Sequence, residues 1–279
     1  MESVTTKQLM AGYFRTWRDK AANPSINKTS MDELPPEVDI ALVFPWDTPP
    51  ESPFWEALRT TYVPRLHRQG TKVVITLGIQ TMLDPQYPDT PKGHQAYVDM
   101  IMSSYINRFN LDGLDIDYEQ HLGAKELAKT IAIFNLLSKQ LGPTSGTGKL
   151  LILDTNRRGD DQLIQHLSPQ IDYLFLQVYG QNFSVIPSIY KGFEPYLPAH
   201  KFMLGFSFYE EKGVDWKDIS TDRNNGRAFD YAGWQPDSGQ RKGGIFSYAI
   251  DRDIPGKTDE ILAADFVGTT RLVERMKAS

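Results

Sequence analysis

The segment "NLDGLDIDYEQ", Asn110 to Gln120, sets Asp112, Asp115, Asp117 and Glu119 among residues that otherwise spell a buried β-strand. A carboxylate buried without a partner is costly. The pattern therefore describes either a solvated acidic loop or a strand whose acids carry chemistry. Side chains alternate faces along a strand, so Asp115, Asp117 and Glu119 share one face while Leu114, Ile116 and Tyr118 share the other. The surrounding chain decides between the two readings.

Similar runs rich in β-branched and aromatic residues recur on both sides. They are "LMAGYF" from Leu9, "VDIALVF" from Val38, "TKVVITLGI" from Thr71, "KLLILDT" from Lys149, "IDYLFLQVYG" from Ile171, "KFMLGFSFY" from Lys201 and "GGIFSYAI" from Gly243. With "LDGLDIDY" from Leu111 they make eight. Helix-length amphipathic segments lie between several of them: "PFWEALRTTYVPRLHRQG", "GHQAYVDMIMSSYINRFN" and "AKELAKTIAIFNLLSKQLG", two of which end on the glycine that commonly stops a helix. Near-continuous apolar strands alternating with helices indicate a parallel sheet covered on its faces.

The length of 279 residues admits one barrel or two small domains. Eight units of roughly 30 residues fit a single (β/α)8 TIM barrel over residues 1–279 better, and no Pro/Gly/Ser linker divides the chain. The weakest units are the first, with only a short helix signal near "SMDELP", and the sixth, where "SVIPSIYKGFEPYLP" is interrupted by proline. A closing helix is expected within "ILAADFVGTTRLVERMKAS".

Composition narrows the function. With 40% hydrophobic and 23% charged residues the chain can build a sizeable core. A net charge of −5 and the lack of a basic stripe argue against nucleic acid. Nothing approaches the roughly 18 apolar residues of a membrane span, and no signal-peptide pattern opens the chain. The absence of cysteine removes thiol chemistry and disulfides. His67, His94, His121, His166 and His200 contain no i, i+4 pair, so neither a metal nor another cofactor is expected, and the histidines are expected mostly on the surface or in loops. "GPTSGTGKL", Gly142 to Leu150, has the wrong glycine spacing for a phosphate loop and precedes a strand instead of following one, so it reads as a turn. Asn27 and Asn182 match the glycosylation acceptor pattern, which is frequent by chance.

As the fourth barrel strand, the acidic segment points its carboxylates inward, spaced roughly 6.6 Å apart and climbing to the C-terminal rim where barrel enzymes place their chemistry. Three such groups in a confined interior must share protons, so at least one pKa is expected to rise. "DGLDIDYE", Asp112 to Glu119, resembles the D-G-x-D-x-D-x-E signature of glycoside hydrolase family 18. "AGYFRTWRDK", "ELPPEVDIALVF", "LFLQVYG", "GFSFYEE" and "GGIFSYAIDRD" resemble that family's endo-β-N-acetylglucosaminidase branch acting on N-glycans of glycoproteins, including antibody-directed members.

The resemblance implies a hydrolase that cuts the β-1,4 bond between the two GlcNAc residues of the N-glycan core. It also implies substrate-assisted, retaining chemistry through an oxazolinium ion, one of the departures from the two-carboxylate scheme. Glu119 is then the acid and base, Asp117 orients the 2-acetamido group, Asp115 supports Asp117, and Tyr179 and Gln177 hold the acetamide. Around the rim, Arg15, Trp17, Trp46, Asn156, Tyr209, Glu210 and Tyr248 are expected to contact sugar. The family points to a secreted monomer whose partners are N-linked glycans. A chitinase, or a glycan-binding barrel without turnover, are the alternatives.

Overall fold

The computed structural model describes residues 7–279; the first six positions of the expected single domain lie outside the described residues. Eight strands close into one parallel barrel, each paired with its successor and the last with the first: β1 (Leu9–Arg15), β2 (Ile40–Phe44), β3 (Lys72–Gly78), β4 (Gly113–Tyr118), β5 (Leu150–Thr155), β6 (Tyr173–Gln177), β7 (Phe202–Ser207) and β8 (Gly244–Tyr248). Each of the eight apolar runs is a barrel strand, and the fold is a (β/α)8 TIM barrel.

The period-two alternation separates two apolar layers. Leu114, Ile116 and Tyr118 of β4 face outward into the strand–helix layer with Leu151 and Leu153 of β5 and Leu174 and Leu176 of β6. Tyr13, Leu42, Val74, Ile152, Phe175, Met203 and Phe246 fill the barrel interior. Phe246 stacks on Phe175 at 4.8 Å between centroids. Room for it comes from Gly205 on β7, where a Cβ would lie 2.2 Å from the Phe246 ring.

The covering helices are α1 (Pro53–Ala57), α2 (Val63–Arg68), α3 (Gln80–Leu83), α4 (Pro91–Ile101), α5 (Ala124–Leu137), α6 (Gln162–Leu167), α7 (Ile186–Lys191), α8 (Arg227–Gly233) and α9 (Val267–Lys277). A π-helical turn, Leu58–Tyr62, joins α1 to α2. Pro64 has no N–H to give to the Thr60 carbonyl, so the regular ladder breaks there. α4 runs on as a second π-helical stretch, Met102–Asn107. Among the described residues no helix is long and apolar enough to cross a membrane.

Several local expectations are corrected. The first crossover holds no α-helix, only 3₁₀ turns at Thr16–Arg18 and Met31–Glu33. Buried Asp19 organises it, accepting from the backbone N–H of Ala21 and Met31 at 2.7 Å and from the Tyr62 hydroxyl at 2.8 Å. Asn27, which matched the glycosylation pattern, is buried and spends its amide on the carbonyls of Trp17 and Asp19, so it is no acceptor in the folded chain. The closing helix starts only at Val267, where the Asp253 carboxylate takes the N–H of Gly268 and Thr269. His67 and His94 lie within α2 and α4, bonded to Asp112 and Asp89 respectively, instead of in loops. Gly142 to Lys149, by contrast, is the expected turn ahead of β5, with positive φ at Gly142, Gly146 and Gly148.

One acid of the opening segment separates from the rest. Asp112, on the opposite parity to Asp115, lies at the bottom of the barrel, where its Oδ2 accepts from the Val73 N–H and from His67, both at 2.7 Å. Asp39 and Asp172, which directly precede β2 and β6, do the same for the N–H of Met10 and Leu151. These three aspartates tie neighbouring strands together at their N-terminal ends and belong to the fold.

Candidate active site

Asp115, Asp117 and Glu119 ascend the inward face of β4 as the alternation requires. Asp115 is fully buried, and its Oδ2 accepts from the Tyr13 hydroxyl at 2.8 Å and the Thr76 hydroxyl at 2.9 Å. Asp117 is half-buried and Glu119, just past the strand, is exposed. Burial pushes the Asp115 carboxyl up to about 7. Burial, then the charges of Glu119 and Asp115, pushes Asp117 up to about 8.

Gln177, the last residue of β6, reaches back over this row. Its Nε2 donates to Glu119 Oε1 at 2.8 Å and to Asp154 Oδ2 at 2.9 Å, with Asp117 Oδ1 farther off at 3.5 Å. The Asn156 Nδ2 donates to the other Glu119 oxygen at 3.1 Å. Two amides from two strands thus hold the Glu119 carboxyl.

Sequence reasoning missed Asp154. It lies on β5 in register with Asp117 and is buried. Burial first, then the charges of Asp117 and Asp115, raises it well above the ordinary range. The signal was present in "LLILDT", an acid in an otherwise apolar strand at i−2 from Asn156.

Tyr179 follows β6. Burial, then the charges of Asp154 and Asp117, pushes its phenol up, and among the described residues its hydroxyl has no hydrogen-bond partner. Its loop is fastened from below. The N–H of Gly180 donates to buried Asp218, whose second oxygen accepts from the Ser207 N–H of β7. The Tyr231 hydroxyl donates to the carbonyls of Val178 and Gln181.

A cleft of about 690 Å³ opens over Asp117 and Glu119, lined further by Trp17, Trp46, Glu210 and Tyr248. Phe44, also unanticipated, is the hub of its aromatic wall, with Trp17 at 5.9 Å, Tyr248 at 5.8 Å and Trp46 stacked at 6.5 Å. Trp46 is 66% exposed, an indole face open to solvent at the cleft mouth. Aromatic faces of this kind suit the apolar faces of pyranose rings.

Two rim residues depart from their expected place. Arg15 has no exposed surface; its guanidinium is spent on Asp251, Glu210 and Glu211, at 2.6 to 2.9 Å for the closest contact with each. It anchors the rim from beneath instead of meeting ligand. Tyr209 is absent from the cleft wall and gives its hydroxyl to Asp259 at 2.8 Å. Asn156 stands on the far flank of Glu119, where it borders a second cleft of about 660 Å³.

The family model for the endo-beta-N-acetylglucosaminidase EndoS TIM-barrel domain matches residues 12–247. Endo-beta-N-acetylglucosaminidase F2 of Elizabethkingia meningoseptica is 42% identical over 96% of this chain and 82% of its own. Endo-beta-N-acetylglucosaminidase EndoSd of Streptococcus dysgalactiae is 38% identical over 88% of this chain, which spans 33% of that longer protein. A crystal structure of a double mutant of endo-beta-N-acetylglucosaminidase from Cordyceps militaris, in complex with fucosyl-N-acetylglucosamine-Asn, superimposes with a TM-score of 0.92 at 45% identity, covering 96% of this chain and 90% of that one.

Proposed function

The chain belongs to the endo-β-N-acetylglucosaminidase EndoS TIM-barrel family and is a glycoside hydrolase, and from that premise we propose that it cleaves the β-1,4 bond of the GlcNAc–GlcNAc core of N-linked glycans. The relatives are named for this class of activity, and a double mutant of one was crystallised with fucosyl-N-acetylglucosamine-Asn, which contains the GlcNAc–Asn unit that the proposed cut would leave. We read residues 1–279 as one catalytic domain.

One observation carries the mechanism. Gln177 gives its amide hydrogens to Glu119 and Asp154, while Asp117 receives only a 3.5 Å approach. Asp117 is therefore short of a donor, and the N–H of a 2-acetamido group in the cleft supplies one. Ionised Asp117 orients that acetamide and offsets the positive charge that grows on it as its carbonyl oxygen attacks the anomeric carbon. The Tyr179 hydroxyl donates to the same carbonyl oxygen.

Glu119 protonates the departing glycosidic oxygen. The carboxylate left behind is held by Gln177 and Asn156, so both amides act most strongly once the proton has gone. Water then opens the oxazolinium ion with Glu119 as base, and the anomeric configuration is retained. Asp115, fixed by Tyr13 and Thr76, backs Asp117 from below. Trp17, Trp46, Glu210 and Tyr248 hold the glycan in the cleft.

The test is the mass of the product from a denatured N-glycoprotein. A glycoprotein retaining one GlcNAc per site, with or without fucose, is the expected result. Chitobiose from colloidal chitin, with glycoprotein untouched, returns the chitinase reading; binding without turnover returns the non-catalytic one.

A further inference from the structure

We propose that Asp154 is a positioning residue of this site, a carboxylic acid that stays neutral beside Asp117 and so lets Asp117 be the ionised partner of the substrate's acetamide. The inference rests on the substrate-assisted reading above. Asp154 and Asp117 face each other across the β4–β5 ladder, in register and on the same inward face.

Hydrogen accounting around them is tight. A carboxamide has two hydrogens. Those of Gln177 go to Asp154 Oδ2 and Glu119 Oε1. The hydroxyls of Tyr13 and Thr76 both go to Asp115 Oδ2. Nothing is left for Asp154 Oδ1, which is buried without a partner, as is Asp115 Oδ1. A buried carboxylate oxygen without a donor is expensive, whereas a protonated one becomes a donor itself. One proton on Asp154 therefore removes the charge that its orphaned oxygen would otherwise hold without a donor.

The electrostatics agree in direction. Among the described residues the groups acting on Asp154 are Asp115, Asp117 and Glu119 from β4 and its end, the phenol of Tyr13 from β1, and Gln177 and Tyr179 from β6 and its loop, and none of these is a cation. Asp115 rises to about 7 and Asp117 to about 8, while burial and then those two charges raise Asp154 well above the ordinary range. All three carboxyls are thus pushed toward the neutral form, Asp154 among them. Three anions cannot share this interior. A neutral Asp154 adds no repulsion to the burial and charges that already push Asp117 up to about 8, so Asp117 is free to ionise against the positive charge that grows on the acetamide.

The test pairs Asp154→Asn with Asp154→Val in the full chain. Asparagine keeps an uncharged donor, so kcat on an N-glycopeptide is expected within about fivefold of the parent, while valine loses at least about tenfold in kcat with little change in KM. A substrate-free readout separates this idea from the proposed activity. The infrared carbonyl band of a protonated buried carboxylic acid is recorded at a pH alkaline of the range in which Asp115 and Asp117 ionise. It is expected in the parent and absent from Asp154→Asn. A parent without that band, a band surviving in Asp154→Asn, or a folded Asp154→Asn as inactive as the valine variant overturns the proposal. If the parent has the band but cleaves no N-glycan, the functional reading fails and the neutral-acid assignment stands.

Discussion

The Nε2 of Gln177 lies 2.8 Å from Oε1 of Glu119, a hydrogen bond spanning the barrel mouth from β6 to the end of β4. Its strength grows as Glu119 ionises, so it belongs to the transition state more than to the ground state. Gln177→Leu is expected to lower kcat by roughly 10- to 150-fold, the equivalent of one hydrogen bond to a charged group. Steady-state kinetics on an N-glycopeptide measure it; a change confined to KM contradicts the assignment.

Two acidic residues of the cleft should respond oppositely. Glu119→Gln keeps shape but has no acidic proton to give and accepts from only one of the two amides that hold the carboxyl, and about 10²- to 10⁴-fold of activity should go while glycan binding persists. Glu210 also lines the cleft, yet its carboxylate is paired with Arg15 at 2.9 Å. With the acetamide as nucleophile, Glu210→Gln should affect KM more than kcat. A Glu210→Gln variant as dead as Glu119→Gln points to a carboxylate nucleophile instead.

Arg15 predicts a stability effect. Its removal leaves nearly buried Asp251 without a paired cation and Glu211 with Arg18 and Arg252 alone. Breaking a buried pair from one side costs about 3–5 kcal/mol, so Arg15→Met should lower the urea midpoint strongly at neutral pH. The loss should shrink in acid, where the stranded carboxylates take up protons. Equal midpoints for the two proteins at neutral pH would show that the cluster contributes nothing net.

What could be read beforehand follows from how local each signal is. The eight strands were legible because a strand buried on both faces is nearly all apolar, and the row Asp115–Asp117–Glu119 because parity alone assigns its face. The same parity rule applied to "LLILDT" would have found Asp154. Arg15 and Tyr209 were misread because what commits them, Asp251, Glu210 and Glu211 for one and Asp259 for the other, arrives from segments far along the chain. The first crossover was opaque because Asp19 and Asn27 replace a helix with side-chain bonds to the backbone, which have no period.

The acid row also sets a pH dependence of stability. Asp117 ionises near 3.8 in an ordinary setting and at about 8 in the folded chain. Between those values the folded state keeps a proton that the unfolded state has released, so the unfolded state binds fewer protons and stability falls as pH rises through the window. Asp117→Asn removes that liability. The variant should exceed the parent in urea midpoint above about pH 8, with the gain fading toward pH 4. An asparagine variant less stable than the parent at alkaline pH contradicts the cost assigned to this carboxylate.

The same residue separates the two chemical steps. If the acetamide is the nucleophile, Asp117 is needed to form the oxazoline but much less once a preformed oxazoline is supplied. Asp117→Asn and Asp117→Gln should therefore hydrolyse N-glycopeptide poorly. Given a glycan oxazoline and a GlcNAc-peptide acceptor, they should still join the two, because Glu119, held by Gln177 and Asn156, remains to take the proton from the acceptor hydroxyl. The product, unable to form oxazoline again, should accumulate instead of being cut. An enzyme with a carboxylate nucleophile gives no such rescue, since its variant lacks the group that makes the covalent intermediate. Product mass over time, with the double variant carrying Glu119→Gln as the blank, reads the outcome. Asp117 variants that stay folded yet transfer no faster than that blank would show that Asp117 and Glu119 do not divide the reaction in this way.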